Sequence, residues 1–128
     1  MTADDITLKL PIPPSLNVAY RNVIGRGRVK TKAYRDWQAE AQMLALLQSG
    51  NKSIAGPYAF HMLVERPDNR RRDLGNLEKL AHDLCVAMGL VEDDCLCQSI
   101  RLEWRDGPPV ADATATIFLI ATKERSGE

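Results

Sequence analysis

The chain has 128 residues, 45% of them apolar and 27% charged, which suits one globular domain with a modest core and leaves little room for a second. Lys plus Arg and Asp plus Glu number 17 each, so net charge alone gives no reason to invoke a nucleic-acid partner. Aromatic residues make up 5%, which excludes an aromatic-rich β-sandwich, and the three cysteines, Cys85, Cys95 and Cys97, have no disulfide-framework spacing, which points to a reducing, cytoplasmic setting.

Met1 to Leu10 lacks the layout of a signal peptide, and no segment approaches roughly 18 uninterrupted apolar residues. Ile6, Leu8 and Leu10 alternate with polar residues as a first strand that stops at Pro11, Pro13 and Pro14. From about residue 17 to 32 no apolar period persists, and Gly25 and Gly27 lie among arginines, which predicts a basic loop. Thr31 is placed to cap a helix with Tyr34, Trp37, Ala41, Leu44 and Leu47 as its apolar stripe, ending near Ser49-Gly50. Tyr58, Phe60, Met62 and Val64 share one face of a second strand.

A second helix is predicted from the spacing of Leu77, Leu80, Ala81, Leu84 and Met88, with Asn76 as its N-cap, Gly89 as its stop, and Glu78, Lys79, His82 and Asp83 on its polar face. Two more strands, through Ile100–Trp104 and Thr114–Ala121, close the domain around the Gly107-Pro108-Pro109 turn, and Ser126–Glu128 reads as a frayed tail. The order β-α-β-α-β-β describes an α/β protein of the α+β type, a mixed four-stranded sheet with two main helices.

Charge is uneven along this frame. Arg21, Arg26, Arg28, Lys30, Lys32 and Arg35 occur without an acidic residue among them, and Arg70-Arg71-Arg72 form a second basic cluster. That cluster runs directly into Asp73 and Glu78 at a helix start, and Glu92-Asp93-Asp94 follow the same helix. Phosphodiester hydrolysis needs carboxylates to hold a hard divalent cation and cationic groups to bring the backbone to it. From the residues alone, an ordinary polar turn and helix cap competes with such a metal-and-phosphate site. His82, Cys85, Cys95 and Cys97 can be combined as a zinc set, but Cys-x-Cys departs from the usual two-to-four-residue gap, so they are taken as small buried or half-buried residues. His61 reads as a satisfied sheet residue, and no P-loop, dinucleotide fingerprint or nucleophilic triad is present.

Arg70 to Lys79, the helix to Leu84 and the later Asp93-Asp94 together resemble the signature of the RusA family of Holliday-junction resolvases: an Arg-rich run, Asp-x-Asp-Asn, a helical lysine and an Asp-Asp pair. Pro13-Pro14-Ser15-Leu16-Asn17 with Tyr20 and Arg21 resembles the family's Pro-Pro-Ser-x-Asn start, so the likeness spans nearly the whole chain. The resemblance implies a single endonuclease domain over residues 1–128 that acts as a homodimer on branched, four-way DNA with magnesium, for which manganese substitutes. Carried over by position, Asp73 and Asp94 match metal-binding aspartates and Lys79 the catalytic lysine, while Arg21, Arg26, Arg28, Lys30, Lys32 and Arg70 to Arg72 would contact phosphates.

One position departs from the pattern. The family's second aspartate falls on Gly75. Glu78, the only nearby acid on the segment that carries Asp73, is the favoured replacement ligand, with Asp93 or Asp83 as further donors; its alternative role is an exposed i,i+4 partner of His82. The alternative function is a junction-binding protein that no longer cleaves, and a nuclease for other branched or single-stranded DNA is a third.

Overall fold

The computed structural model describes residues 5–122, and the tail at Ser126–Glu128 lies outside them. In chain order the elements are β1 (Ile6–Pro11), α1 (Leu16–Ala19), β2 (Tyr20–Val23), β3 (Gly27–Lys30), α2 (Lys32–Ser49), β4 (Tyr58–Val64), α3 (Gly75–Ala87), β5 (Cys97–Trp104) and β6 (Thr114–Ala121), with a 3-10 turn at Asp94–Leu96.

Strict alternation builds the sheet. Ile6, Leu8 and Leu10 of β1, Tyr58, Phe60, Met62 and Val64 of β4, and Ala115, Ile117 and Leu119 of β6 are buried, while the intervening residues are half-buried or exposed. The strand order is β1-β6-β4-β5, with β4 and β5 parallel and the other pairs antiparallel. The strands on either side of Gly107 are therefore not neighbours, because β6 inserts between β1 and β4. This is the α+β class read from the sequence, a mixed four-stranded sheet carrying two main helices.

Helix α2 starts at Thr31, whose hydroxyl accepts the Tyr34 N–H at 3.3 Å. It packs along β1, and Trp37 Nε1 donates to the Pro11 carbonyl at 2.8 Å. Its buried stripe is Tyr34, Trp37, Ala41, Ala45 and Ser49. Leu47, expected on that stripe, is 74% exposed, because at 3.6 residues per turn it lies about 120° around the helix from Ala41. Helix α3 buries Leu77, Leu80, Ala81, Leu84 and Cys85. It ends in a Schellman motif: Gly89, at φ 72°, donates to the Val86 carbonyl and Leu90 donates to that of Cys85, each at 3.0 Å.

The basic loop expected at 17–32 is instead the short helix α1 and the antiparallel hairpin β2–β3. Gly25 and Gly27, at φ 81° and 74°, turn the chain between its strands. Most of the hairpin is exposed on both faces, so its sequence carries no alternating apolar signal. Its root is tied down: Thr31 Oγ1 donates to the Val18 carbonyl at 2.8 Å, and Tyr20 meets Tyr34 edge-on at 5.4 Å.

The loop between β4 and α3 is folded around Asp68. Its carboxylate accepts from the Arg70 backbone N–H at 3.0 Å and from the Arg70 and Arg72 guanidinium groups at 3.1 and 2.7 Å. Arg72 first, then the Arg70 N–H, hold this carboxyl well below the usual aspartate range. Among the described residues no helix is long and apolar enough to cross a membrane.

Two measurements check this packing. In urea denaturation, Leu80→Ala is expected to cost about 2–5 kcal/mol, whereas Leu47→Ala stays within about 0.5 kcal/mol. Because the folded pKa of Asp68 is depressed, its contribution is present above the unfolded value near pH ~4 and is lost as pH falls through the folded value. Asp68→Asn should therefore flatten the acid limb of a plot of urea midpoint against pH; an unchanged limb would show that the clamp adds nothing.

Candidate active site

The first turn of α3 organises the site. Asp73 Oδ1 accepts the Gly75 backbone N–H at 2.9 Å and the Asp73 carbonyl accepts the Asn76 N–H at 3.1 Å. The carboxylate thus satisfies one of the donors that a helix start leaves unpaired. Asn76, expected as the cap, lies inside the first turn, because the Asp73 side chain meets the opening donor from upstream.

Gly75, Glu78, Lys79 and His82 follow at i, i+3, i+4 and i+7, so they share one face of α3. On this face the Lys79 Nζ lies 3.2 Å from Asp83 Oδ1 and 3.8 Å from Asp94 Oδ2. Asp94 opens the 3-10 turn that packs against α3, so a carboxylate from beyond the helix is brought to Lys79. Asp83 above all, then Asp94 and Glu78, raise the Lys79 pKa and keep it an ammonium. Asp73, Asp93 and Asp94 are exposed. Asp93 Oδ1 accepts the Cys95 N–H at 2.9 Å, which caps the turn and lowers the Asp93 pKa.

Glu78 points elsewhere. Its Oε2 lies 3.0 Å from His82 Nδ1, and its side chain is 17% exposed, so it is an inward i,i+4 partner of the histidine. His82, expected on the polar face, is buried, with Nε2 2.6 Å from the Tyr58 hydroxyl and its ring stacked on Phe60 at 4.3 Å. Strand β4 places a hydroxyl and an aromatic face beneath α3, which gives the imidazole polar partners on both sides. This relay was not found from the sequence. The available signal was Tyr58 itself, since a tyrosine on a fully buried strand face needs a partner for its O–H.

Among the described residues no three His, Cys, Asp or Glu side chains converge as a metal-holding group. The zinc set is not assembled, as Cys85 is buried, Cys95 is exposed and His82 is engaged by Glu78 and Tyr58. Exposed carboxylates at Asp73 and Asp94 supply hard oxygens. That donor set fits magnesium, which takes one or two carboxylates and fills its octahedron with water and substrate oxygens.

The basic residues divide by engagement. Arg70 and Arg72 are paired with Asp68, Lys32 with Asp36 at 2.6 Å, and Lys30 with Gln38 at 3.2 Å, while Arg28 stacks on Tyr20 at 3.7 Å. Arg21, Arg26 and Arg71 are exposed and carry no ion pair among the described residues. His61 pairs with Glu103 at 2.9 Å across the sheet and takes no part in the site.

Comparison with known proteins identifies the family. Residues 11–117 match the family described as Endodeoxyribonuclease RusA. The crossover junction endodeoxyribonuclease RusA of Escherichia coli K12 is 40% identical over 98 residues, covering 75% of this chain and 79% of the relative. The protein of the same name from Shigella sonnei Ss046 is 38% identical over 98 residues, with the same coverage. The one from Enterobacteria phage 82 is 37% identical over 97 residues, covering 74% of this chain and 78% of the relative. Asp73, Lys79 and Asp94 lie within the matched region, and the chain belongs to the RusA endodeoxyribonuclease family.

Proposed function

We propose that this protein is a crossover junction endodeoxyribonuclease that resolves four-way DNA junctions by magnesium-dependent hydrolysis of the phosphodiester backbone. The observation that carries the reading is the Lys79 ammonium held beside Asp94 on the helix whose first backbone donor Asp73 meets, in a chain of the RusA family. Asp73 and Asp94 would hold the ion, with Asp93 and Glu78 as further oxygen donors. Bound magnesium supplies Lewis-acid polarisation of a phosphate oxygen and a water whose pKa is lowered toward neutrality.

The remaining steps belong to the side chains. Lys79, protonated and half-exposed, offsets charge that develops on the phosphoryl oxygens or the leaving group. Arg21, Arg26 and Arg71 grip backbone phosphates, with Arg28, Lys30, Lys32, Arg70 and Arg72 released from or sharing their present partners. Such contacts give affinity without sequence information, so selectivity for a junction rests on shape. A four-way junction needs paired nicks in opposite strands, and a two-fold homodimer supplies two identical sites for them.

The test incubates labelled four-way junction and linear duplex with magnesium, manganese or chelator. Symmetric nicks on the junction with either metal, and none with chelator, are expected. Asp73→Asn should reduce nicking on the order of 10²-fold or more while junction binding persists, and Lys79→Ala should lower the rate to a similar degree. Binding without nicks under every condition would leave a junction-binding protein only, and equal cutting of linear duplex would point to a different substrate. A salt titration addresses the basic surface: Arg71→Ala should weaken binding across all sequences and shift the slope of log K against log salt by about 1, and an unaltered slope removes Arg71 from the interface.

A further inference from the structure

We propose that Ile24, at the tip of the β2–β3 hairpin, is a wedge that enters the open base step at the branch point of a DNA junction and so favours branched over linear DNA. The role rests on the branched DNA substrate proposed above. Three observations carry it.

The first is an exposure that the local fold does not call for. Ile24 is 102% exposed, the most exposed large apolar side chain among the described residues. The Arg26 N–H donates to the Val23 carbonyl at 3.0 Å and Gly25 stands at φ 81°, so the chain reverses with Ile24 at the outer corner of the turn. Such a turn calls for glycine at 25 and makes no demand for an apolar side chain at 24. A polar residue there would suit both the turn and the solvent.

The second is the charge around the tip. Single exposed apolar side chains are ordinary on protein surfaces. This one stands among cations: no acidic residue occurs from Arg21 to Arg35, and Arg21 and Arg26 are exposed with no ion pair among the described residues. The strand pairs Asn22↔Arg28 and Val23↔Gly27 lead directly up to the turn. Beside them is a hollow of about 320 Å3 lined by Leu16, Asn17, Tyr20, Arg21, Asn22 and Arg28. Its guanidinium and amide donors suit phosphate oxygens and base edges, which seats a nucleic-acid strand on the flank of the hairpin and brings bases to its tip. An apolar protein groove would instead strand these guanidinium groups away from water.

The third is the fixed root. A wedge separates bases only if its base does not yield. The Thr31 N–H donates to the Ala19 carbonyl at 2.9 Å, its hydroxyl donates to that of Val18 at 2.8 Å, and Tyr20 meets Tyr34 edge-on. Strand β2 has four residues, so at roughly 3.3 Å per residue the tip stands about 13 Å beyond Tyr20.

Apolar side chains that enter a base step unstack it, at a cost that is largest inside a continuous duplex. Stacking is already interrupted at the branch point of a four-way junction, so the same insertion costs less there. Selectivity for shape is thereby assigned to a side chain that makes no phosphate contact.

The experiment places 2-aminopurine beside the branch point of a four-way junction, and in the middle of a linear duplex. Its fluorescence, which rises on unstacking, is read at saturating protein with chelator so that no strand is cut. The intact protein is compared with Ile24→Ala, Ile24→Ser, Ile24→Leu and Arg26→Ala. The intact protein and Ile24→Leu should raise the junction signal, whereas Ile24→Ala and Ile24→Ser should lose roughly half of that rise or more, with unchanged thermal midpoints. Ile24→Ser should also lower the ratio of junction to duplex affinity about 10-fold while keeping the slope of log K against log salt. Arg26→Ala should do the reverse, shifting the slope by about 1 and keeping the fluorescence rise.

A junction signal equal in the intact protein, Ile24→Ala and Ile24→Ser, or absent from all of them at saturation, would overturn the wedge and leave the branched DNA substrate standing. A change confined to self-association, seen as a lower mass of Ile24→Ser in light scattering, would assign the tip to a second copy of the chain and overturn it likewise. An intact protein that binds junction no more tightly than duplex would overturn both.

Discussion

Helix α3 carries Lys79 and Glu78 and starts directly after Asp73, and Asp94 packs against it, so its docking on the sheet is the constraint on which the chemistry depends. Its buried stripe, Leu77, Leu80, Ala81, Leu84 and Cys85, meets the inner face of the sheet, and each fully buried large apolar side chain contributes on the order of 1.5–3 kcal/mol. Apolar packing alone tolerates some rolling of a helix. The Tyr58–His82–Glu78 hydrogen bonds do not, because each has a defined direction and an unmade partner in that interior would cost about 1–3 kcal/mol. The Schellman motif at Gly89 then turns the chain back, so that the 3-10 turn with Asp94 returns to the helix near Lys79.

Electrostatics within this frame are balanced for exchange. The Lys79 pairs with Asp83 and Asp94 join side chains that are about half-exposed, and such pairs are worth roughly 0.2–1 kcal/mol. A phosphate can displace them at little cost. Asp68 acts similarly on the neighbouring arginines, neutralising Arg70 and Arg72 while Arg71 remains open to solvent. Equal numbers of acids and bases over the chain therefore coexist with a local cationic surface, and placement rather than net charge decides what the protein can bind.

Much of this was legible in the amino-acid sequence, for reasons that also explain what was not. Strands β1, β4 and β6 alternate strictly because one face of each is buried, and Thr31 and Gly89 mark helix ends through backbone donors and a left-handed φ that few residues satisfy. The β2–β3 hairpin buries neither face well, so no period betrays it. Leu47 faces solvent while Ser49 is buried, because the 3.6-residue turn carries position 47 off the line of Trp37, Ala41 and Ala45, a drift that counting in threes from Leu44 overlooks. Asp73, Lys79 and Asp94 were nominated through the family resemblance, since residue type and order alone left an ordinary polar turn and helix cap in competition. The inward turn of Glu78 was not legible, because it depends on Tyr58, 20 residues upstream and on another element.

Gly75 is the point at which local conformation and chemistry separate. Its φ is not in the left-handed region, so the backbone does not require glycine there. The one close contact that a Cβ would make is with the exposed and movable Asp73 carboxylate, not with backbone or core. A side chain is thus permitted by the fold and is nevertheless missing. Its consequence falls on the charge count of the helix start, where Asp73 is the carboxylate that meets the opening backbone donor. Glu78, the neighbour at i+3, turns instead to His82, which the Tyr58 hydroxyl meets from the buried strand.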